Sequence, residues 1–348
     1  MQPDPRFWTG RRVCVTGGTG FLGYHLVRQL LALDAQVRVL ALPPRPDHPL
    51  LQLSGVELHR GDIGDAITVR AALADCDVIL HTAGIVALSG PGLRRMHEVH
   101  VGGTQQVLDA APPQARIVHT SSVVAVGASR TLQPVDEDSP FNLERVRIDY
   151  VQAKRAAEQR ALAAAQRGQN VVIVNPTYLL GPEDHERSEF GRFCARFWKG
   201  QLRLALPGGF NFVDVRDVAT GHLLAAERGQ AGRRYLLGGE DHTMTDFCRL
   251  LAKTAGEGVP RLWPVPGWLL TGAALLAEGV AACRGKKPDP PLQQARLNRW
   301  QWFCRSDRAR LELGYAPRSL RETLADTYRW HRERWLPRAT GSIPPRAA

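Results

Sequence analysis

Lysine is scarce, cysteine is dispersed, and no uncharged apolar run of membrane-spanning length occurs in this 348-residue chain. The six cysteines (Cys14, Cys76, Cys194, Cys248, Cys283, Cys304) stand singly, with no CxxC pair and no Cys/His cluster at zinc spacing. That excludes a disulfide framework and a zinc site; the cysteines read as buried free thiols, and no metal is expected. The opening MQPDPRFWTGRR has no apolar signal core, so a reducing, cytoplasmic location is expected. The most apolar stretch, Pro264 to Lys287, is broken by Glu278 and falls short of the about 20 residues that a spanning helix needs. Only five of the 45 basic residues are lysines: Lys154, Lys199, Lys253, Lys286 and Lys287. The net charge of +11 is local, since residues from 284 onward carry +9 of it and residues 1 to 283 only +2.

Composition is otherwise that of an ordinary folded protein, 44% apolar and 23% charged. Residues 12 to 16 (RVCVT) form a β-branched run ending in a glycine cluster, and a helical pattern follows with Leu22, Leu26, Val27 and Leu30 on one side. Further strands are expected at Val37 to Leu42, in VELHRGDI, in DVILHTAG, at Arg116 to Thr120 and at Val171 to Asn175. Short buried strands alternating with helices imply an α/β fold, a Rossmann-type doubly wound parallel sheet. Residues 1–175 read as the dinucleotide-binding domain, with 211–225 returning to it. Residues 176–336 read mostly as a smaller C-terminal substrate lobe and 337–348 as a flexible tail.

Thr16 to Gly23 reads TGGTGFLG. Glycines there let the chain turn tightly, approach a pyrophosphate and pack helix on strand, while the helix amino terminus offers free N–H groups. Gly17, Gly18, Thr19, Gly20, Phe21, Leu22 and Gly23 are therefore candidate cofactor-binding residues. A carboxylate for the ribose 2′-hydroxyl is missing, because the second strand ends in Ala41 and Leu42. Without it a 2′-phosphate meets no repulsion, and Arg45 can offer a guanidinium, so NADP is preferred over NAD.

Tyr150 and Lys154 lie one turn apart at the start of an alanine-rich helix. Six tyrosines and five lysines would give about 0.09 such pairs by chance. A nearby ammonium stabilises a phenolate, so Lys154 is expected to pull Tyr150 down from about 10 towards working pH, as a general acid/base. Ser121 and Ser122 follow the fifth strand at its carboxyl end, where open α/β sheets bind ligands.

In this order the motifs resemble the extended short-chain dehydrogenase/reductase superfamily. Within it the chain resembles the branch of dihydroflavonol reductases, 3β-hydroxysteroid dehydrogenases and bacterial epimerase/dehydratase homologues. The likeness also runs through GDIGD, HTAG, HTSSVVAVG, PVDEDSP, VNPTYLLGP, FVDVRDVATGHLLA and LELGYAP. By resemblance, Ser122 is the catalytic serine, Tyr150 the general acid/base and Lys154 the residue that binds the nicotinamide ribose. Asp62 with Ile63 resembles the adenine contact, His81, Ala83 and Gly84 the loop lining the cofactor, and Asn175 with Pro176 the segment beside the nicotinamide. Where relatives often place an asparagine this chain has His100, read as structural or as a substitute. The implied activity is hydride transfer between NAD or NADP and a carbinol carbon, on an apolar ring-containing alcohol or ketone.

The rival readings are a nucleotide-sugar epimerase and a non-catalytic dinucleotide-binding scaffold. Val123 and Val124 after the serines, where a dehydratase usually has an acid, and the intact Ser122, Tyr150 and Lys154 set weigh against dehydratase and scaffold. The expected partner is a small-molecule substrate, and a homodimer is left open. Nucleic acid is not expected, although RLNRWQWFCRSDRAR interleaves aromatics with arginines. Residues 263–287 read first as a buried helix of the substrate lobe and alternatively as a peripheral membrane contact.

Overall fold

The computed structural model describes residues 1–202, 204–256, 262–284 and 287–336. The tail expected at 337–348, and Lys286, lie outside the described residues.

Six strands form where the apolar runs place them: β1 (Arg12–Thr16), β2 (Gln36–Ala41), β3 (Val56–Arg60), β4 (Val78–His81), β5 (Arg116–Thr120) and β6 (Val171–Pro176). After them come β7 (Tyr178–Leu180), β8 (Leu204–Ala205), β9 (Gly209–Asp214), β10 (Arg234–Leu237), β11 (Glu240–Thr243), β12 (Trp263–Pro264) and β13 (Gln301–Trp302). The main sheet is parallel, in the order β10-β6-β5-β4-β1-β2-β3. Helices cover both faces, so β4 and β6 are buried along their whole length, as all-parallel sheets require. Strand order reverses between β1 and β4, and the carboxyl ends of these strands open the crevice where such sheets bind ligands.

The segment 211–225 behaves in two ways. The strand β9 joins a second sheet, pairing antiparallel with β11 and parallel with β7 and β13. Its alternation explains the choice, since Phe210 and Phe212 enter the aromatic core of the second lobe while Val213 faces the first core. The following helix, Val215–Arg228, does return, packing on helix Phe21–Leu31 and on β5 and β6. β10 then completes the main sheet beside β6; its four residues are too short a run to stand out in the sequence.

Helix Asp149–Gln166 lies close to the sheet because its buried stripe is made of alanines, Ala153, Ala157, Ala161 and Ala164. Trp300, Trp302 and Phe303 are buried, so the aromatics among the carboxyl-terminal arginines serve the core and are not available for stacking. Two expectations need correction. Cys283 is exposed, whereas the other five thiols are buried. Helix Gly267–Arg284 is not a buried helix: only Leu270, Ala274 and Ala281 are buried, while Trp268 and Leu276 are each 75% exposed. Its neighbour, helix Leu292–Leu297, offers only Leu292 and Ala295 as buried partners, too narrow a face to cover it.

Candidate active site

The glycine loop joins β1 to helix Phe21–Leu31 at the switch point. Gly17 has φ +74°, and a Cβ there would lie 2.8 Å from the Ala83 Cα. A Cβ on Gly23 would come within 2.2 Å of the Gly17 carbonyl oxygen. Phe21 and Leu22 pack on the core, so they bring backbone N–H groups to the crevice while their side chains serve packing. Gly20 is the helix N-cap and no side chain caps it, which leaves the first N–H groups free for an anion. A glycine-rich cradle at an uncapped helix end fits the pyrophosphate of a dinucleotide. Gly17→Ala is expected to abolish nucleotide binding and to cost about 1–3 kcal/mol of stability, read by nucleotide titration and thermal melting.

Ser122, Tyr150 and Lys154 converge at the carboxyl ends of β5 and β6. The Ser122 hydroxyl lies beside the Tyr150 phenol, and the Lys154 ammonium donates to the Thr120 carbonyl at 3.1 Å. Lys154 is 8% exposed. Burial pushes Tyr150 up to about 12, with Ser122 offsetting part of the rise, and pushes Lys154 down to about 8, with Glu158 opposing. The expected depression of Tyr150 by Lys154 is thus corrected for the cofactor-free protein, in which loss of hydration sets the direction of the shift.

Around these groups the sheet ends in polar residues. Asn175 is fully buried, its amide donating to Ser122 O at 3.0 Å and to Glu158 Oε2 at 2.6 Å, while its Oδ1 has no protein partner. It ties the serine loop to the helix that carries Tyr150, and Pro176 follows as the last residue of β6. His81 does not line the cofactor crevice as expected. It is buried, with Nδ1 2.8 Å from Thr16 Oγ1 and Nε2 3.2 Å from Thr104 Oγ1, and burial pushes it down to about 3. It is a neutral pin between strand and helix. Ala83 donates its N–H to Thr16 Oγ1 at 3.2 Å, and this holds the loop over the glycine turn.

His100 sits in a π-helical turn, Glu98–Gly102, and its Nε2 lies 2.8 Å from the Ile85 carbonyl. Its ring meets Tyr150 edge-on, centroids 5.9 Å apart. Gly84 is small for this reason, because a Cβ there would lie 2.6 Å from the His100 ring. Asp62 accepts the Gly64 N–H at 2.7 Å and pairs with Arg95, while Ile63 is buried against Gly103. Arg45 lies on an exposed loop, 3.8 Å from Asp47 and 3.8 Å from Glu186.

Sequence reasoning missed the aromatic group next to Tyr150. Tyr178 stacks edge-on with Phe190 at 5.2 Å and with Phe210 at 4.6 Å, and burial holds its phenol well above the usual value, with Tyr150 and Glu189 adding to the rise. The signal was present in EFGRFCARFW, whose Phe190, Phe193, Cys194, Phe197 and Trp198 fall at helical spacing.

A dinucleotide cradle joined to a serine, tyrosine and lysine at the switch point defines a dinucleotide-dependent oxidoreductase. The NAD dependent epimerase/dehydratase family matches residues 13–238, and the chain belongs to it. Sterol demethylase protein B of Methylococcus capsulatus is 35% identical over 92% of this chain and 98% of its own length. The 3 beta-hydroxysteroid dehydrogenase/Delta 5-->4-isomerase of Mycobacterium tuberculosis is 31% identical over 88% of this chain and 86% of its own. Among solved structures, the dTDP-glucose 4,6-dehydratase DesIV of Streptomyces venezuelae, with NAD bound, is 25% identical with a TM-score of 0.75, covering 93% of this chain and 97% of its own. The resemblance to the extended short-chain dehydrogenase/reductases and the Rossmann-type fold are borne out. The protein is an enzyme of the NAD(P)-dependent dehydrogenase/reductase class.

Proposed function

We propose that the protein reduces a ketone, or oxidises the matching alcohol, on an apolar ring-containing substrate such as a sterol, terpenoid or flavonoid-like compound. The observation that carries this reading is the Ser122 hydroxyl beside the Tyr150 phenol, next to the half-buried rings of Tyr178 and Phe190, which Phe210 backs from the core. Aromatic walls reward a flat apolar substrate and leave a sugar's hydroxyls unpaired. Relatives named for sterol and hydroxysteroid chemistry support the same choice.

In this reading the glycine loop and the amino terminus of helix Phe21–Leu31 hold the pyrophosphate, and Lys154 holds the nicotinamide ribose. The bound dinucleotide supplies or accepts the hydride at C4 of its nicotinamide. Ser122 holds the substrate oxygen and Tyr150 moves its proton. With its phenol near 12, Tyr150 is protonated at neutral pH, the state that carbonyl reduction needs. His100 keeps the Tyr150 ring and the Ile85 loop in place. Five buried free thiols suit a reducing cytoplasm.

NADP is the preferred cofactor, supported by the missing carboxylate after β2 and by Arg45. Arg45→Ala is expected to weaken NADPH binding about two- to fivefold, as for an exposed ion pair, and to leave NADH unchanged. Equal loss for both nucleotides would remove Arg45 from the reading. Substrate class is tested by net nucleotide turnover on a panel of cyclic ketones and nucleotide sugars. Turnover on the ketones is expected; isomerised sugar without net turnover would favour the epimerase reading instead.

A further inference from the structure

Helix Gly267–Arg284 carries an apolar stripe that the fold leaves open. Trp268, Leu275, Leu276 and Val280 are 75%, 56%, 75% and 50% exposed and recur at helical spacing on one side. Gly272 and Gly279 fall on the same side, and a Cβ on either would meet nothing within 4 Å. The single acid of this helix, Glu278, is turned inward, its carboxylate accepting the Leu292 N–H at 3.2 Å. No carboxylate of the helix therefore faces out with the stripe.

Cations stand at both ends. Arg284 is exposed in the last turn and Lys287 just beyond it, with exposed Asp289 nearby. At the amino end, Arg130, Arg145, Arg147, Arg296 and Arg299 line a cleft of about 390 Å³. Arg299 touches the first residue of the helix, since a Cβ on Gly267 would lie 3.7 Å from its Cγ. Among the described residues none of the five is paired with a carboxylate; Arg296 donates to the Arg147 carbonyl and Arg130 covers the Trp300 ring. Five unpaired guanidiniums in one cleft repel one another and call for anions. No helix among the described residues is long and apolar enough to cross a bilayer.

We propose that this face docks on a lipid bilayer carrying anionic headgroups, with the Trp268–Val280 stripe in the interface and the arginine cleft on the headgroups. An apolar stripe flanked by unpaired cations matches that surface in both chemistry and order. Docking also bears on the active site. A cavity of about 320 Å³ opens between this helix and the Leu88–Gly90 loop, and its wall includes Gln293, whose amide donates to Asp149, the residue before Tyr150. The cavity thus lies behind the docked face, between the inner side of this helix and the start of the catalytic helix.

The test is co-sedimentation with phosphatidylcholine vesicles, with and without phosphatidylglycerol, read without substrate so that the outcome is independent of the enzymatic reading. Each cation that reaches the surface contributes about fivefold, so binding is expected to rise at least about tenfold with the anionic lipid and to fall at high salt. A Trp268→Glu/Leu276→Glu protein is expected to stay in the supernatant while still binding nucleotide. An Arg145→Gln/Arg299→Gln protein should lose most of the preference for anionic lipid. Wild-type protein left in the supernatant at low salt, or equal pelleting of the glutamate variant, overturns the proposal. It is equally overturned if the glutamate variant converts a dimer to a monomer in lipid-free sedimentation velocity, since the stripe would then be a contact between two copies.

Discussion

Tyr150→Phe lowers kcat by about 10²–10⁴-fold while nucleotide affinity is unchanged, the range expected when one general acid/base is removed. The ring itself stays, so its edge-on contact with His100 and its packing on the second core survive. Only the hydroxyl is lost, and with it the group that faces Ser122. The loss amounts to about 3–5 kcal/mol of transition-state stabilisation at 1.36 kcal/mol per tenfold. Single-turnover kinetics with a ketone substrate separates this from a binding defect. A variant that binds nucleotide and turns over at the wild-type rate would take Tyr150 out of the chemistry.

Lys154 gives the second large effect, read through pH. Burial lowers its folded-state value from 10.5 to about 8, so the unfolded chain binds more protons between those two values and the cofactor-free protein gains stability as pH rises through that window. Nucleotide binding runs the other way. The ammonium is the form that donates to a ribose hydroxyl and faces the phosphates' charge, so affinity is full below pH about 8 and falls by up to tenfold per pH unit above it. Lys154→Met is expected to bind nucleotide weakly and without this dependence. Titrations of nucleotide between pH 7 and 10 check it; a wild-type affinity that is flat over that range contradicts the role assigned to Lys154.

The sheet was legible because each strand is a short β-branched run with a glycine or a polar cluster at its end, as in RVCVT before the glycine loop or RIVHT before Ser121. The tyrosine and lysine were legible for a different reason: Lys154 is the first lysine in a chain that otherwise uses arginine. What was hidden depends on partners distant in sequence. Whether β9 would join the first or the second sheet is decided by where Phe210, Phe212 and Val213 find company. His81 reads as a cofactor-loop residue until Thr16 and Thr104 are seen to occupy both its nitrogens. The Tyr150 shift could not be read from an i, i+4 pair, because burial of the whole site sets its direction. Helix Gly267–Arg284 misled for the same reason, since its apolar composition implied a cover that the fold does not supply.

The central claim is net hydride transfer from a nicotinamide to a carbonyl carbon in the site built on Ser122, Tyr150 and Lys154. It is tested most directly by supplying NADPH deuterated at C4 with a cyclic ketone and locating the label by mass spectrometry. The account predicts one deuterium at the carbinol carbon of the product, with formation abolished in Tyr150→Phe. Product that carries hydrogen from solvent at that carbon, or reduced nucleotide that keeps all its label while substrate is converted, would contradict it.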